Sequence, residues 1–325
     1  MLLGALWAGG LLFYQMPGPV WLGALLALAW VLAAGWMALR VACGRAGRRI
    51  GSAYVLGMAC ATLWWTALGP RPDRTWADDG AERLDVGSFD GHHVVLDNVR
   101  DFTWRTEQDY DARWVRREYD LQQLRSADLV MSYWMGPAIA HTLVSFGFAD
   151  GRQLVFSLEI RKERGESFSA LGGFFRKFEM TLVASEETDI IRTRTNARGE
   201  DVYLYRLHGL TQAQLRTLFA GYIEQARSLD AAPAFYNTLT SNCTTIVFDL
   251  ARHIAPGLPL DYRLLASGYL DEYAFEQGAL APGYPFATLK ARARITERAL
   301  QPQARSDFSR WIRRGVPGTA QEAQP

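Results

Sequence analysis

Cysteine is scarce in this 325-residue chain, and where it stands matters more than how much there is. Cys60 lies in an apolar run and Cys43 in a short basic loop, so the polar part of the chain holds only Cys243. That excludes an internal disulfide there and leaves one thiol free to react. No cysteine–histidine pair stands at the spacing of a structural zinc site. No glycine-rich phosphate loop follows a strand pattern. Internal repeats and low-complexity tracts are absent. The net charge is only +1. The one basic and aromatic stretch, Trp114-Val115-Arg116-Arg117, is isolated, so nucleic-acid binding is not expected. Nothing calls for a cofactor or a metal.

Charge is also missing from residues 1–69, apart from Arg40, Arg45, Arg48 and Arg49. The uncharged runs 20–39 and 50–68 are long enough to span a hydrocarbon core of about 30 Å. Segment 2–16 is short for a span, and Pro17-Gly18-Pro19 separates it from the next run. Trp21, Trp36, Trp64 and Trp65 sit near segment ends, where amphipathic rings favour the membrane interface. A signal peptide is excluded: no charged residue precedes the first run, and two more apolar segments follow. The four arginines should face the cytoplasm. The expectation is a multi-pass protein of the inner (cytoplasmic) membrane with its C-terminal part in the periplasm.

Residues 70–80 read as a polar linker. Residues 81–300 read as one domain, and 301–325 as a C-terminal helix and a tail that is disordered from Gly315 on. Runs rich in β-branched and aromatic residues predict strands at 93–96, 102–105, 114–121, 129–134, 142–148, 154–160, 178–184 and 202–207. Asp150-Gly151 marks a hairpin turn. Helices come later. Thr211 and Gln214 have capping-box form, and Leu215, Leu218, Phe219, Tyr222 and Ile223 mark one apolar face. Strands followed by helices predict an α+β fold with a mostly antiparallel sheet.

A second helix starts at Asn242-Cys243-Thr244-Thr245. Ile246, Val247, Leu250 and Ile254 recur at helical spacing, Asn242 suits the N-cap, and Pro256-Gly257 ends the run. A helix N-terminus favours the thiolate, the nucleophilic form of cysteine. A catalytic thiol needs a base, usually a histidine oriented by a polar group. His253 lies nearly three helical turns away and cannot reach. His141 opens strand 142–148, on the face that also carries Ser145, Ser157, Glu159 and Arg161. A register pairing 146 with 156 makes Glu159 a diagonal neighbour of His141. Glu159 is then the orienting group and Ser157 its rival. Without the cysteine this would be an ordinary solvated polar face. Arg161, Lys162, Arg164, Arg192, Arg194 and Arg198, offset by nearby acidic residues, read as a solvated mixed surface rather than a head-group patch.

Several stretches carry a family resemblance: Arg74-Thr75-Trp76, Asn98-Val99-Arg100-Asp101-Phe102, Ala140-His141-Thr142, Phe146-Gly147-Phe148, and Ser157-Leu158-Glu159-Ile160-Arg161-Lys162. Arg192-Thr193-Arg194-Thr195-Asn196, and Phe235-Tyr236-Asn237-Thr238 through Asn242-Cys243-Thr244-Thr245, complete it. Residues from about 71 to 283 resemble the Lnb N-terminal periplasmic domain family. The resemblance implies a circularly permuted papain-like fold in which histidine precedes cysteine. It also implies an acyltransferase that moves a phospholipid acyl chain to a lipoprotein amine. Cys243, His141 and Glu159 are then the catalytic residues, and Asn242, Ser157, Tyr236 and Asn237 the supporting or substrate-binding ones. The partners implied are a phospholipid or lipoprotein and the cytoplasmic membrane. The sequence departs from the family in showing no evident large domain after residue 300, so its substrate can differ. A thiol peptidase or amidase of the envelope, or a non-catalytic envelope-binding protein, stands as the alternative.

Overall fold

The computed structural model describes residues 1–45, 47–71, 74–302 and 304–323. They fall into two compact units. The first comprises Met1–Thr75, Glu166–Glu179 and Ala234–Thr238, and the second comprises the rest.

The first unit is built on three helices: α1 (Leu2–Gln15), α2 (Val20–Ala42) and α3 (Arg48–Ala67). Helical hydrogen bonding satisfies the backbone within each segment, as a lipid environment requires, and charge is confined to Arg40 in the last turn of α2 and Arg48 and Arg49 at the start of α3. By length and composition α2 and α3 can each cross a membrane, while α1 is shorter. Small residues let α1 and α2 approach closely: Ala5, Ala8 and Ala34 are buried, and a Cβ at Gly23 would stand 3.0 Å from the Phe13 carbonyl oxygen. Arg176 donates to the carbonyls of Trp65 (2.7 Å) and Leu68 (3.1 Å), so a cation closes the carboxyl end of α3.

The second unit carries an eight-stranded sheet. Its strands are β1 (Asp85–Phe89), β2 (His93–Arg100), β5 (Trp114–Asp120), β6 (Leu124–Tyr133), β7 (Ala140–Phe148), β8 (Gln153–Arg161), β9 (Glu179–Glu186) and β10 (Asp201–Arg206). Two short strands, β3 (Thr103–Trp104) and β4 (Tyr110–Asp111), pair separately. The order is β1-β2-β9-β8-β7-β6-β10, with β5 also on β2. The β2–β9 pair is parallel, and the other pairs with a defined register are antiparallel. The short helix α4 (Ala170–Phe174) belongs to the first unit, and the helices of the second are α5 (Glu187–Arg192), α6 (Gln212–Ala231), α7 (Cys243–Ile254), α8 (Leu270–Glu276), α9 (Phe286–Ala293), α10 (Thr296–Leu300) and α11 (Arg305–Ile312). The fold is α+β with a mostly antiparallel sheet, as the sequence pattern predicts.

Both faces of the sheet are covered, which corrects the expectation of a solvated polar face. On one side Phe146 and Phe156 pack on Phe219 and Tyr222 of α6. On the other, Leu143 and Val155 join Ile190 of α5, Ala299 of α10 and Phe308 of α11. Ser145 and Ser157 are therefore buried. Three further expectations are corrected. The stretch from Gly315 is not loose among its described residues, because Val316 and Thr319 are buried and Gly315 N–H donates to the Gln321 carbonyl. Residues 76–80 are not a free linker: Ala77 N–H donates to the Lys162 carbonyl, and Arg161 lies 4.3 Å over the Trp76 ring. Arg161 and Arg194 are buried, not part of a solvated surface.

The β7–β8 register differs from the expected one by two residues. Leu143 pairs with Ser157, Val144 with Phe156 and Phe146 with Leu154. The cause is the turn. Phe148 N–H donates to the Arg152 carbonyl, leaving a three-residue loop whose Gly151 sits at φ +87°. A slip of two preserves both faces. Continuing the observed register places Glu159 directly across from His141 rather than diagonal to it.

Candidate active site

The site is assembled where the amino end of α7 meets the start of β7. Asn242 fixes that helix end as its cap. Its Oδ1 accepts from Thr244 N–H (2.9 Å) and Thr245 N–H (3.0 Å), and its own N–H donates to Thr245 Oγ1 (2.9 Å). Cys243 thus occupies the first helical position, where the helix dipole favours a negative charge. The thiol is 8 % exposed. Thr142 of β7 holds the helix to the sheet, its hydroxyl 3.2 Å from that of Thr244.

His141, one residue before Thr142, stands close enough to the Cys243 thiol for each to act on the other's ionisation. Its Nε2 lies 2.7 Å from Ser157 Oγ and 3.2 Å from Glu159 Oε1. Ser157 Oγ donates to Glu159 Oε1 at 2.7 Å, so the serine accepts from the ring. With Nε2 committed to β8, Nδ1 is the nitrogen left for the thiol. Glu159 and Ser157, rivals in sequence, both bind the ring.

Behind Glu159 stands a cation. Arg194 donates through Nη2 to Glu159 Oε1 (2.7 Å) and through Nη1 to Glu200 Oε2 (3.2 Å), and Ser132 in turn donates to Glu200. Arg194 belongs to a π-helical turn, Thr193–Ala197, that continues α5. Such irregular turns are frequent at functional sites. Sequence reasoning missed this arginine, because in a run of mixed charge nothing in its residue pattern marks it as buried.

The electrostatics follow from the geometry. Burial works against a charged His141, and Arg194 adds to it, but the Glu159 carboxylate and Cys243 together reverse this, raising the imidazole pKa to about 9. Burial also opposes ionisation of Cys243. The His141 charge, its hydrogen bond, the Thr142 backbone N–H and the Thr244 hydroxyl reverse this and hold the thiol below its ordinary value. Glu159 stays well below the usual carboxylate range despite burial, because His141 and Arg194 face it. Both shifts run toward a thiolate–imidazolium pair.

Residues 110–268 match the model of the Lnb N-terminal periplasmic domain. That stretch belongs to the Lnb N-terminal periplasmic domain family. The Lnb-type domain holds His141, Ser157, Glu159, Arg194, Asn242 and Cys243 within the matched residues. With the two membrane-long helices, the chain is a membrane-anchored protein carrying a periplasmic domain. No curated protein and no solved structure matches it. Tyr236 and Asn237, also in the matched stretch, lie in the unit built on α1–α3 rather than in the cluster around Cys243. There Tyr236 N–H donates to the Phe178 carbonyl (3.0 Å). His253 hydrogen-bonds the Asp249 carbonyl within α7 and takes no part. Among the described residues no group of three or more His, Cys, Asp or Glu side chains could hold a metal.

Proposed function

We propose that this protein is a membrane-anchored thiol acyltransferase that moves an acyl chain of a phospholipid or lipoprotein by way of Cys243. The observation that carries the reading is a buried thiol at a helix amino end beside His141, whose ring is held by Ser157 and Glu159. The thiolate attacks the ester carbonyl carbon and the C–S bond forms. The carbonyl electron pair moves to oxygen and returns as the ester C–O bond breaks. His141 gives its proton to the departing alkoxide. The neutral imidazole then takes a proton from an amine acceptor as the amine displaces the thiolate. Membrane anchoring keeps the site near acyl chains, which supplies proximity. His141 precedes Cys243 along the chain, and this order supports a permuted papain-like arrangement.

Intact-protein mass spectrometry tests the chemistry. Full-length protein in detergent, incubated with phospholipid, should gain one acyl mass on Cys243 and lose it when an amine peptide is added. An adduct that disappears equally fast in buffer alone would make the enzyme a thiol hydrolase of the envelope instead. No adduct at all would remove the catalytic reading and leave a binding module.

The proposal also places the chain in the inner membrane as a multi-pass protein, with the loop after α2 in the cytoplasm. The basis is the arginine cluster at 40–49. A reporter fused at Arg45 should then be cytoplasmic, and one fused at Gly69 periplasmic. The reverse pattern would overturn the orientation.

A further inference from the structure

Between β8 and β9 the chain runs through Ser167-Phe168-Ser169-Ala170-Leu171-Gly172-Gly173-Phe174-Phe175, a stretch without a charge in which Phe and Leu recur. Part of it forms the short helix α4, which Ser169 caps by accepting from Gly172 N–H (3.0 Å). Leu171 is 63 % exposed and Phe168 36 %. An exposed leucine on a water-soluble domain needs no explanation. This one does, because of what the stretch is fastened to.

The stretch belongs to the unit built on α1–α3, and two of those helices hold it by their carboxyl ends. At α1, the Phe175 ring stacks on Tyr14 at 5.4 Å with the planes 14° apart. The same ring fills the space that Gly10 leaves open, where a Cβ would collide with it. Gln15, the last residue of α1, donates through Nε2 to the Phe175 carbonyl (2.5 Å), and the Tyr14 hydroxyl lies 3.3 Å from Ser169 Oγ. At α3, Arg176 binds the Trp65 and Leu68 carbonyls, and its guanidinium lies 4.4 Å over the Trp65 ring. Thr238 of the same unit donates to the Ala170 carbonyl (2.7 Å).

Helix α3 is long and apolar enough to cross a bilayer, so its carboxyl end marks a membrane surface. Trp65 suits that level, since amphipathic rings favour the interface. Residues bonded to the carbonyls of Trp65 and Leu68 lie at the same depth. The irregular backbone around α4 excludes the hydrocarbon core, where unpaired N–H and C=O groups find no partner. Exposed apolar side chains at the interface gain by leaving water for acyl chains. We propose that residues 167–175 form an interfacial segment whose Phe168 and Leu171 side chains enter the boundary between head groups and acyl chains, in the leaflet where α3 ends. The partner is a lipid surface. The inference rests on α3 crossing the membrane and is independent of the chemistry at Cys243. Insertion is shallow, about 5–10 Å, as for other segments that lie in the interface. Charge returns with Arg176 and Lys177, at the level of the head groups.

The test uses full-length protein in vesicles of phosphatidylethanolamine and phosphatidylglycerol. One nitroxide is attached to a single cysteine in a Cys43→Ala/Cys60→Ala/Cys243→Ser background. Its collision rates with oxygen, which concentrates in lipid, and with a water-soluble nickel chelate report its depth. Leu32→Cys, at an exposed position of α2, should read lipid, and Arg45→Cys, in the loop after α2, should read water. Leu171→Cys should collide with nickel several-fold less often than the label at Arg45, and with oxygen several-fold more often. If the label at Leu171 met nickel as often as the one at Arg45 while Leu32 read lipid, the interfacial segment would be lost and the spans would stand. Low collision rates with both reagents would mean that protein covers Leu171, and would overturn the lipid partner. If Leu32 itself read water, the spans and the interfacial segment would fall together.

Discussion

Cys243→Ser should lower acyl transfer on the order of 10⁶-fold, the scale of losing the nucleophile from a coupled nucleophile–base unit. His141→Gln should cost at least about 10²–10⁴-fold, the usual contribution of a general base. The double variant should be no worse than the serine variant, since the two groups act as one unit. Cys243→Ser should not disturb folding, because the cysteine forms no disulfide and serine nearly matches its shape. The pH dependence separates the two roles. His141 is raised to about 9, so the imidazolium that protonates the leaving group is present below that pH and lost above it. Acyl transfer should therefore fall as pH rises through about 9. Iodoacetamide alkylation needs only the thiolate, and should persist there and also extend below the ordinary thiol range. Stopped assays of both reactions across pH decide this. A transfer rate that keeps climbing with pH above 9 would rule out the imidazolium as proton donor.

Arg313→Leu should be among the most destabilising single changes in the domain. Arg313 follows α11 and is 2 % exposed. It donates to Asp128 Oδ2 through Nη2 (2.7 Å) and Nε (3.0 Å), and to Glu187 through Nη1 (2.8 Å) and Nη2 (2.7 Å). Both carboxylates are buried, and Asp128 also takes a bond from Arg206. Removing one partner of a buried ion pair costs about 3–5 kcal/mol, because the remaining charge is left uncompensated. Denaturant unfolding of the full chain in detergent measures it. Burial alone would raise the Asp128 pKa, but Arg313 and Arg206 hold it below its ordinary value. Its contribution to stability is therefore present above the unfolded value near 3.8 and lost as pH falls through the folded one. The gap between variant and wild type should narrow in acid. A gap that stays constant down to strongly acidic pH would mean that lost packing, not charge, explains the effect.

How much was legible depended on whether the physics was local. The Cys243 helix could be read directly, because an N-cap, a helical apolar period and a Pro-Gly stop all lie within sixteen residues. The shared face of His141, Ser157 and Glu159 followed from period-two alternation, which survives any even slip. The register itself did not, since it turns on which residues the Asp150-Gly151 loop leaves unpaired. Arg194 was hidden for a different reason. Its burial depends on Glu159 and Glu200, 35 and 6 residues away, and on a π-helical turn without a composition of its own. The covered second face was missed because α10 and α11 are short and rich in arginine. Their burial rests on a few residues such as Ala299, Phe308 and Ile312, too few to stand out from a polar tail. Tyr222 was assigned correctly to the core.

The position of Arg313 also bears on how the protein is made. A chain that crosses the membrane amino end first delivers His141 and the sheet strands long before residues 305–316. Until those arrive, Asp128 has only Arg206 to match it, Glu187 lacks Arg313, and α11 does not yet cover that face. Covering of that sheet face therefore waits for the last part of the domain to be delivered.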